Sequence, residues 1–280
     1  MNRTMLIATN TMTQLQKQMD TISNNIANVD TNGYKKKNAA FTDLLVQQVN
    51  NQKDTTQEVN RQTPNGIRQG NGAKVAQTQT VMTQGTLKTT NRQLDTAFTS
   101  EGQLYRVLVQ NGQNSEVQYT RDGAFYLTPV SNTENMLVTK QGNAVLDENN
   151  NPIMLNKDVN EYSLSKTGTL LAKLNNGQTQ NVNLGVTAVN YPQFLEKKGD
   201  NLFGLPANLD ELNMTRDQVL TDLDGALRGE VAVSQYVLEQ SNVDLSKEMV
   251  NLMSTQRSYQ FQSKAITMAD QMMGLVNEIR

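Results

Sequence analysis

Eight apolar side chains near the N-terminus limit what this chain can fold into. Met5, Ala8, Met12, Leu15, Met19, Ile22, Ile26 and Val29 follow one another at alternating steps of three and four. That spacing is the seam of a helix that packs on other helices. The stretch from Ser23 to Lys35, rich in Asn and closing on Asn32-Gly33, supplies residues that adopt the left-handed conformation and so ends the helix. A helix of about 25 residues is roughly 37 Å long and cannot bury such a stripe by itself.

The far end of the chain offers a partner. From Leu245 to Arg280 there is no Pro, and Gly occurs only at Gly274. Met249, Leu252, Tyr259, Ile266 and Met273 continue the three-four alternation, with Leu245, Gln256, Ser263 and Asp270 between them. Phe261, Ala265, Met268, Met272, Leu275 and Ile279 form a second seam on another face. One seam serves the N-terminal helix; two call for further helices, and neighbouring copies of the chain are the obvious source. Methionine is unbranched and suits contacts that are not all equivalent.

Composition narrows the function. There is no Cys and no His among 280 residues, which removes disulfides, thiolate metal sites, the commonest general base and the commonest zinc ligand. A net charge of -2 leaves no basic footprint for nucleic acid. Lys35-Lys36-Lys37, the only basic run, reads as a solvated turn. No stretch reaches the roughly 18 apolar residues of a membrane helix, and the N-terminus lacks the apolar core of a cleaved signal. No cofactor or small-molecule substrate is expected.

The middle of the chain changes character. Phe41 to Val49 is short and fits helix or strand, and 50–72 is a polar loop with a turn signal at Pro64-Asn65-Gly66. With so few apolar residues this loop has no core of its own, so its order is expected from a neighbour. A β pattern starts at Ala73. Short apolar runs such as Leu104 to Val109 and Val117 to Thr120 then alternate with Asn111-Gly112, Asp122-Gly123, Gln141-Gly142, Thr167-Gly168, Asn176-Gly177 and Leu184-Gly185, the layout of an antiparallel meander. Thr215 to Gln218 reads as a capping box, Gly225 to Glu239 as extended chain, and Ser241 to Asp244 as the cap of the last helix. The fold class is therefore α+β: long terminal helices packed as a coiled-coil-like core, with a mostly antiparallel β region projecting from it. The expected division is 1–34 with 242–280 as the helical domain, 35–92 with 212–241 as the connection, and 93–211 as the β-rich domain.

These residues resemble the bacterial flagellar rod and hook family of axial proteins. The family's N-terminal signature is matched at Asn24, Asn25, Ala27, Asn28, Thr31, Gly33 and Tyr34. Its C-terminal phrases are matched by Ser241-Asn242-Val243-Asp244, Glu248 to Leu252, Gln256 to Tyr259 and Ser263-Lys264. Weaker phrases stand in family order at Leu94-Asp95, Tyr119 to Phe125, Gly199 to Phe203 and Leu227-Arg228-Gly229. The size of the middle region is most like the distal rod branch. One departure is Gln103-Leu104-Tyr105, where the family usually has two aromatics after Glu101-Gly102.

The resemblance implies a structural subunit of a helical homopolymer, a torque-transmitting shaft in the basal body, outside the cytoplasm. It also implies export through the flagellar type III apparatus without a cleaved signal. Its implied partners are other copies of itself, other rod and hook proteins, and the cell wall or a ring around the shaft. A wall-degrading enzyme is the competing class, because glycan hydrolysis needs two carboxylates roughly 5 to 9.5 Å apart. Glu101, Asp122 and Asp147 are the candidates, but acidic residues beside Gly or in turns are common for backbone reasons. An adhesin that uses the β region is a third class.

Overall fold

The computed structural model describes residues 2–43, 46–49, 67–70, 73–112, 114–199, 201–206, 209 and 214–278. The chain divides into two compact units. The first holds Met1–Ile26, Lys37–Gln79 and Leu245–Arg280, and the second holds Ala27–Lys36 and Thr80–Asp244.

In the first unit the N-terminal helix spans Asn2–Ala27 and the C-terminal helix Leu245–Glu278. Thr9, Thr11, Thr13 and Thr21 lie inside the N-terminal helix with hydroxyls that need a partner. Each donates to the carbonyl four residues earlier, at 2.8–3.1 Å. The ambiguous stretch after the helix is strand: Lys37–Asp43 pairs with Ala73–Thr80, and Val46–Val49 runs antiparallel to Ile67–Gly70. Ile67–Gly70 thus belongs to a ladder, not to the loop the sequence suggests. Of that loop, 50–66, 71 and 72 lie outside the described residues.

The second unit is built around a hairpin of Gln103–Asn111 and Asn114–Thr120. On one side the sheet continues through Ala144–Val145, Glu134–Val138 and Met154–Asn156; on the other through Leu202–Gly204 and Glu196–Gly199. A separate three-stranded meander comprises Val159–Leu164, Thr169–Leu174 and Thr179–Asn183. Alternation along the first strand of the hairpin explains two cores. Tyr105 and Val107 join Phe98, Phe125, Leu137, Leu155, Leu170 and Val186 in one cluster. Leu104 faces the other way and joins Tyr119, Phe203, Val219 and Leu220.

Several local expectations meet the structure at particular residues. Gly177 has φ +83°, as the turn between the last two meander strands requires. Thr215 N–H donates to the Gln218 Oε1 at 3.0 Å, so the capping box opens a one-turn helix at Arg216–Val219. Leu184-Gly185 is not a hairpin turn. A Cβ on Gly185 would stand 2.6 Å from the Asp147 carbonyl oxygen and 2.7 Å from Arg106 Nε, so the glycine serves close packing. The stretch expected to be extended begins instead as a 3-10 helix, Gly225–Glu230, held by Leu227 N–H to Asp224 O and Val231 N–H to Arg228 O. It becomes strand at Val233–Gln235 and Val237–Glu239.

Candidate assembly surface

The N-terminal helix has a covered and an open face. Ala8 and Ile22 are buried, and Met5, Met12, Leu15, Met19 and Ile26 are half-buried beside them, while Leu6 stands in solvent. On the C-terminal helix Glu248, Thr255 and Ala269 are buried, and Leu252, Tyr259, Gln262, Ile266 and Met273 are partly covered. These positions also alternate by four and three. Met249 sits one place beyond the covered Glu248 and is exposed. A cleft of about 410 Å³ is lined by Thr21, Ile22, Ala39, Gln79, Glu248 and Asn251 among others.

The rest of the C-terminal helix is unusually apolar for a surface. Phe261 is 68% exposed, and Val250, Met253, Met268, Met272, Leu275 and Val276 are exposed as well. Ala265 is half-covered, and the side chain of Ile279 lies outside the described residues. Phe261, Ala265, Met268, Met272 and Leu275 repeat at four-three steps on one side of the helix. Contiguous apolar exposure of this kind is uncommon on a monomeric soluble protein.

The signature that follows the N-terminal helix folds back on itself. Asn25, buried, donates through Nδ2 to the Lys37 carbonyl at 2.9 Å and accepts the Lys37 N–H at 3.0 Å. Thr31 donates its N–H to Asn28 O at 3.2 Å, and Tyr34 its N–H to Thr31 O at 3.3 Å. Asn24 and Ala27 are exposed. Gly33 has φ +66° and donates its N–H to the Glu239 carbonyl at 2.7 Å. Any Cβ there would stand 2.6 Å from the backbone carbon of Arg121, so only glycine fits. Tyr34 is buried, with the Lys197 ammonium 3.7 Å from its ring centroid.

The basic run Lys35-Lys36-Lys37 is not the solvated turn the sequence suggests. Lys35 is buried, not solvated. Its ammonium donates to Glu239 Oε1 at 2.5 Å and to the Thr83 carbonyl at 2.8 Å. Arg121 Nε donates to the other oxygen of Glu239 at 2.6 Å, and its remaining nitrogens bond the Gln103 and Ser100 carbonyls. The Gly85 N–H adds a third donor to the carboxylate at 2.9 Å. The side chains of all three charged residues are 1% exposed. Burial opposes the charge on Glu239, but Arg121, Lys35 and the Gly85 N–H outweigh it and hold the carboxyl below its ordinary value. Burial pulls the Lys35 ammonium below the usual lysine value despite Glu239.

Asn242 completes this clasp. Its Oδ1 accepts the Lys36 N–H at 2.8 Å, and its Nδ2 donates to the Val81 and Thr83 carbonyls at 2.9 and 3.0 Å. The asparagine expected to help cap the last helix thus ties three passages of the chain: 34–36, 81–83 and 239–242. No sequence signal pointed to the Lys35–Glu239–Arg121 cluster, whose members are far apart in the chain.

The departure at Gln103 has a structural answer. Its buried amide donates to the Glu230 carbonyl at 2.8 Å and accepts the Ala232 N–H at 3.1 Å. The amide thus makes a two-way bond to the returning chain. The candidate carboxylates are occupied by backbone: Glu101 accepts Gln84 N–H, Asp122 accepts Ala124 N–H, and Asp147 accepts the N–H groups of Asn149 and Asn151. Burial raises the Asp122 carboxyl above its ordinary value, with the Ala124 bond opposing.

Three family descriptions match the chain. Residues 5–35 match "Flagella basal body rod protein", residues 105–172 the hook protein FlgE/F/G D1 domain, and residues 234–279 the C-terminal region of the basal body rod FlgEFG proteins. The two terminal matches between them contain Gly33, Tyr34, Lys35, Glu239 and Asn242. The chain is 43% identical to the flagellar hook-basal body complex protein FlhP of Bacillus subtilis over the whole of both chains. It is 33% identical to the basal-body rod protein FlgG of Borreliella burgdorferi, over 100% of this chain and 99% of that one. FlgG of Bacillus subtilis is 30% identical over 94% of this chain and 93% of its own length.

Proposed function

The chain belongs to the flagellar basal-body rod family and is a structural subunit of the flagellum, not an enzyme; on that premise, we propose that its terminal helices drive polymerisation into the torque-transmitting shaft. In this reading residues 1–34 and 242–280 form the polymer core, joined by 35–92 and 212–241 to the β-rich 93–211. The covered stripes of the two helices, through Met12, Leu15, Met19, Ile22, Leu252, Tyr259 and Ile266, pack as a coiled-coil-like core. The second stripe of the C-terminal helix takes the helices of neighbouring copies. The observation that carries the reading is the solvent exposure of Phe261, Met268, Met272 and Leu275 at heptad spacing.

The polymer contacts other rod and hook proteins at its ends. The chain leaves the cell through the flagellar type III apparatus without a cleaved signal and assembles outside the cytoplasm. Absence of cysteine suits a chain threaded through a narrow channel. The 43% identity to FlhP and 33% to a FlgG, each over nearly the whole of both chains, support a rod subunit of the distal branch.

A charge on the open stripe tests this. Phe261→Glu puts a carboxylate on a side chain already in solvent, so the melting temperature of the monomer should move by no more than about 1–2 °C. The variant should be secreted at the normal level while rods fail to form and swimming stops. Normal swimming would show that this stripe is not an assembly surface.

A further inference from the structure

We propose that Met268 and Met272 form a peroxide-reactive modification site, at which conversion to sulfoxide stops the chain from joining the shaft; this rests on the polymer reading above. The sequence holds 13 Met but no Cys, His or Trp. Methionine is therefore the side chain on which a mild two-electron oxidant acts first. Burial then sorts the methionines. Among the described residues only Met249, Met253, Met268 and Met272 are exposed, at 47–56%, and all four lie on the C-terminal helix. Met5, Met12 and Met19 on the N-terminal helix are half-buried, as are Met136 and Met154 in the β-rich unit.

Position decides which of the four matters. At the usual helical turn Met268 and Met272 lie within about 20° of Phe261, on the open stripe. Met253 is about 80° round the helix from Phe261 and Met249 about 120°, so both lie off it. The oxidant is hydrogen peroxide. A sulfur lone pair attacks one peroxide oxygen, and the O–O bond breaks as the S–O bond forms. The proton of the transferred oxygen passes to the leaving hydroxide, so the sulfur is oxidised to the sulfoxide and the peroxide is reduced to water. The product carries a strong hydrogen-bond acceptor, which is unfavourable to bury without a donor. Phe261, Ala265 and Leu275, the other residues of the stripe, have no side-chain donor to offer. Methionine sulfoxide reductases restore the thioether, so the block is reversible.

Two readouts on the full-length chain test this. In purified monomer under dilute peroxide, peptide mass spectrometry should find Met268 and Met272 oxidised about threefold or more faster than Met136 and Met154. Equal rates would overturn the proposal. Met268→Leu with Met272→Leu keeps side-chain volume and helix propensity while removing both sulfurs. Cells are then given a sublethal peroxide pulse while rods form. Wild type should lose new basal bodies by about tenfold or more relative to the double variant. Equal sensitivity of the two strains would overturn the proposal. Overproduced methionine sulfoxide reductases should restore assembly in wild type, and a loss that persists would overturn it as well. Phe261→Glu, run alongside, separates the two readings. If that variant assembles normally, the helix reading fails. If it is blocked while the peroxide sensitivities are equal, the oxidation site alone fails.

Discussion

Glu239→Ala is expected to destabilise the β-rich unit by about 3–5 kcal/mol, the usual effect of removing one partner of a buried ion pair. The carboxylate accepts from Lys35, Arg121 and the Gly85 N–H, and none of the charged partners has access to water. Without it two cations and a backbone N–H remain buried with fewer acceptors. A loss of this size lowers the melting temperature by roughly 6–20 °C. Glu239→Gln keeps an oxygen for part of the network and should fall between wild type and alanine. Lys35→Met should cost less than Arg121→Met, because burial already disfavours the lysine charge and Arg121 also holds two carbonyls.

The cluster also sets a pH dependence. The Glu239 carboxyl titrates lower in the folded chain than its ordinary value of 4.5. Its stabilisation is therefore fully present above that value and is lost as pH falls through the folded-state value. Lys35 gives a slope of the same sign at higher pH, by relief of a penalty rather than by gain of a charge. Its amine is lowered by burial, so its charge opposes folding at neutral pH, and that opposition fades as pH rises toward 10.5. Denaturant titrations of wild type and Glu239→Gln should differ by a constant amount near neutrality and converge in acid below about pH 4.5. A difference independent of pH would mean that the carboxylate charge contributes nothing.

Ile266→Pro should have the second large effect, and in the other unit. Ile266 lies deep inside Leu245–Glu278, where proline removes a helix hydrogen bond and clashes with the preceding turn, at about 3 kcal/mol or more. A long helix with one covered face depends on continuity to keep both stripes in register. Secretion should persist, and the main thermal transition of the β-rich unit should stay where it is. Rod completion and swimming should be lost. A swimming Ile266→Pro strain would remove the C-terminal helix from the assembly mechanism.

Much of this was legible in the sequence, for physical reasons. Helix periodicity and turn chemistry are local, so the two terminal helices, the strand-rich middle and the Thr215–Gln218 capping box could be read directly. The covered face of the C-terminal helix is less legible. Leu252, Tyr259, Ile266 and Met273 allow a three-four pattern through either Met249, Gln256, Ser263 and Asp270 or Glu248, Thr255, Gln262 and Ala269. Hydropathy favours the first through Met249, while the folded chain covers the second. The clasp was not legible at all, because Lys35 and Glu239 are 204 residues apart and a lysine run after glycine looks solvated.

Thiol labelling tests the central claim most directly, because the chain has no cysteine of its own. Met268→Cys places one thiol on the open stripe, and Asn176→Cys places a control on an exposed turn of the β-rich unit. Helix polymerisation predicts fast reaction at both positions in the secreted monomer. In isolated rods it predicts protection of at least about tenfold at position 268, as expected for a site buried in a packed core. Equal labelling rates at position 268 in monomer and rod would contradict it.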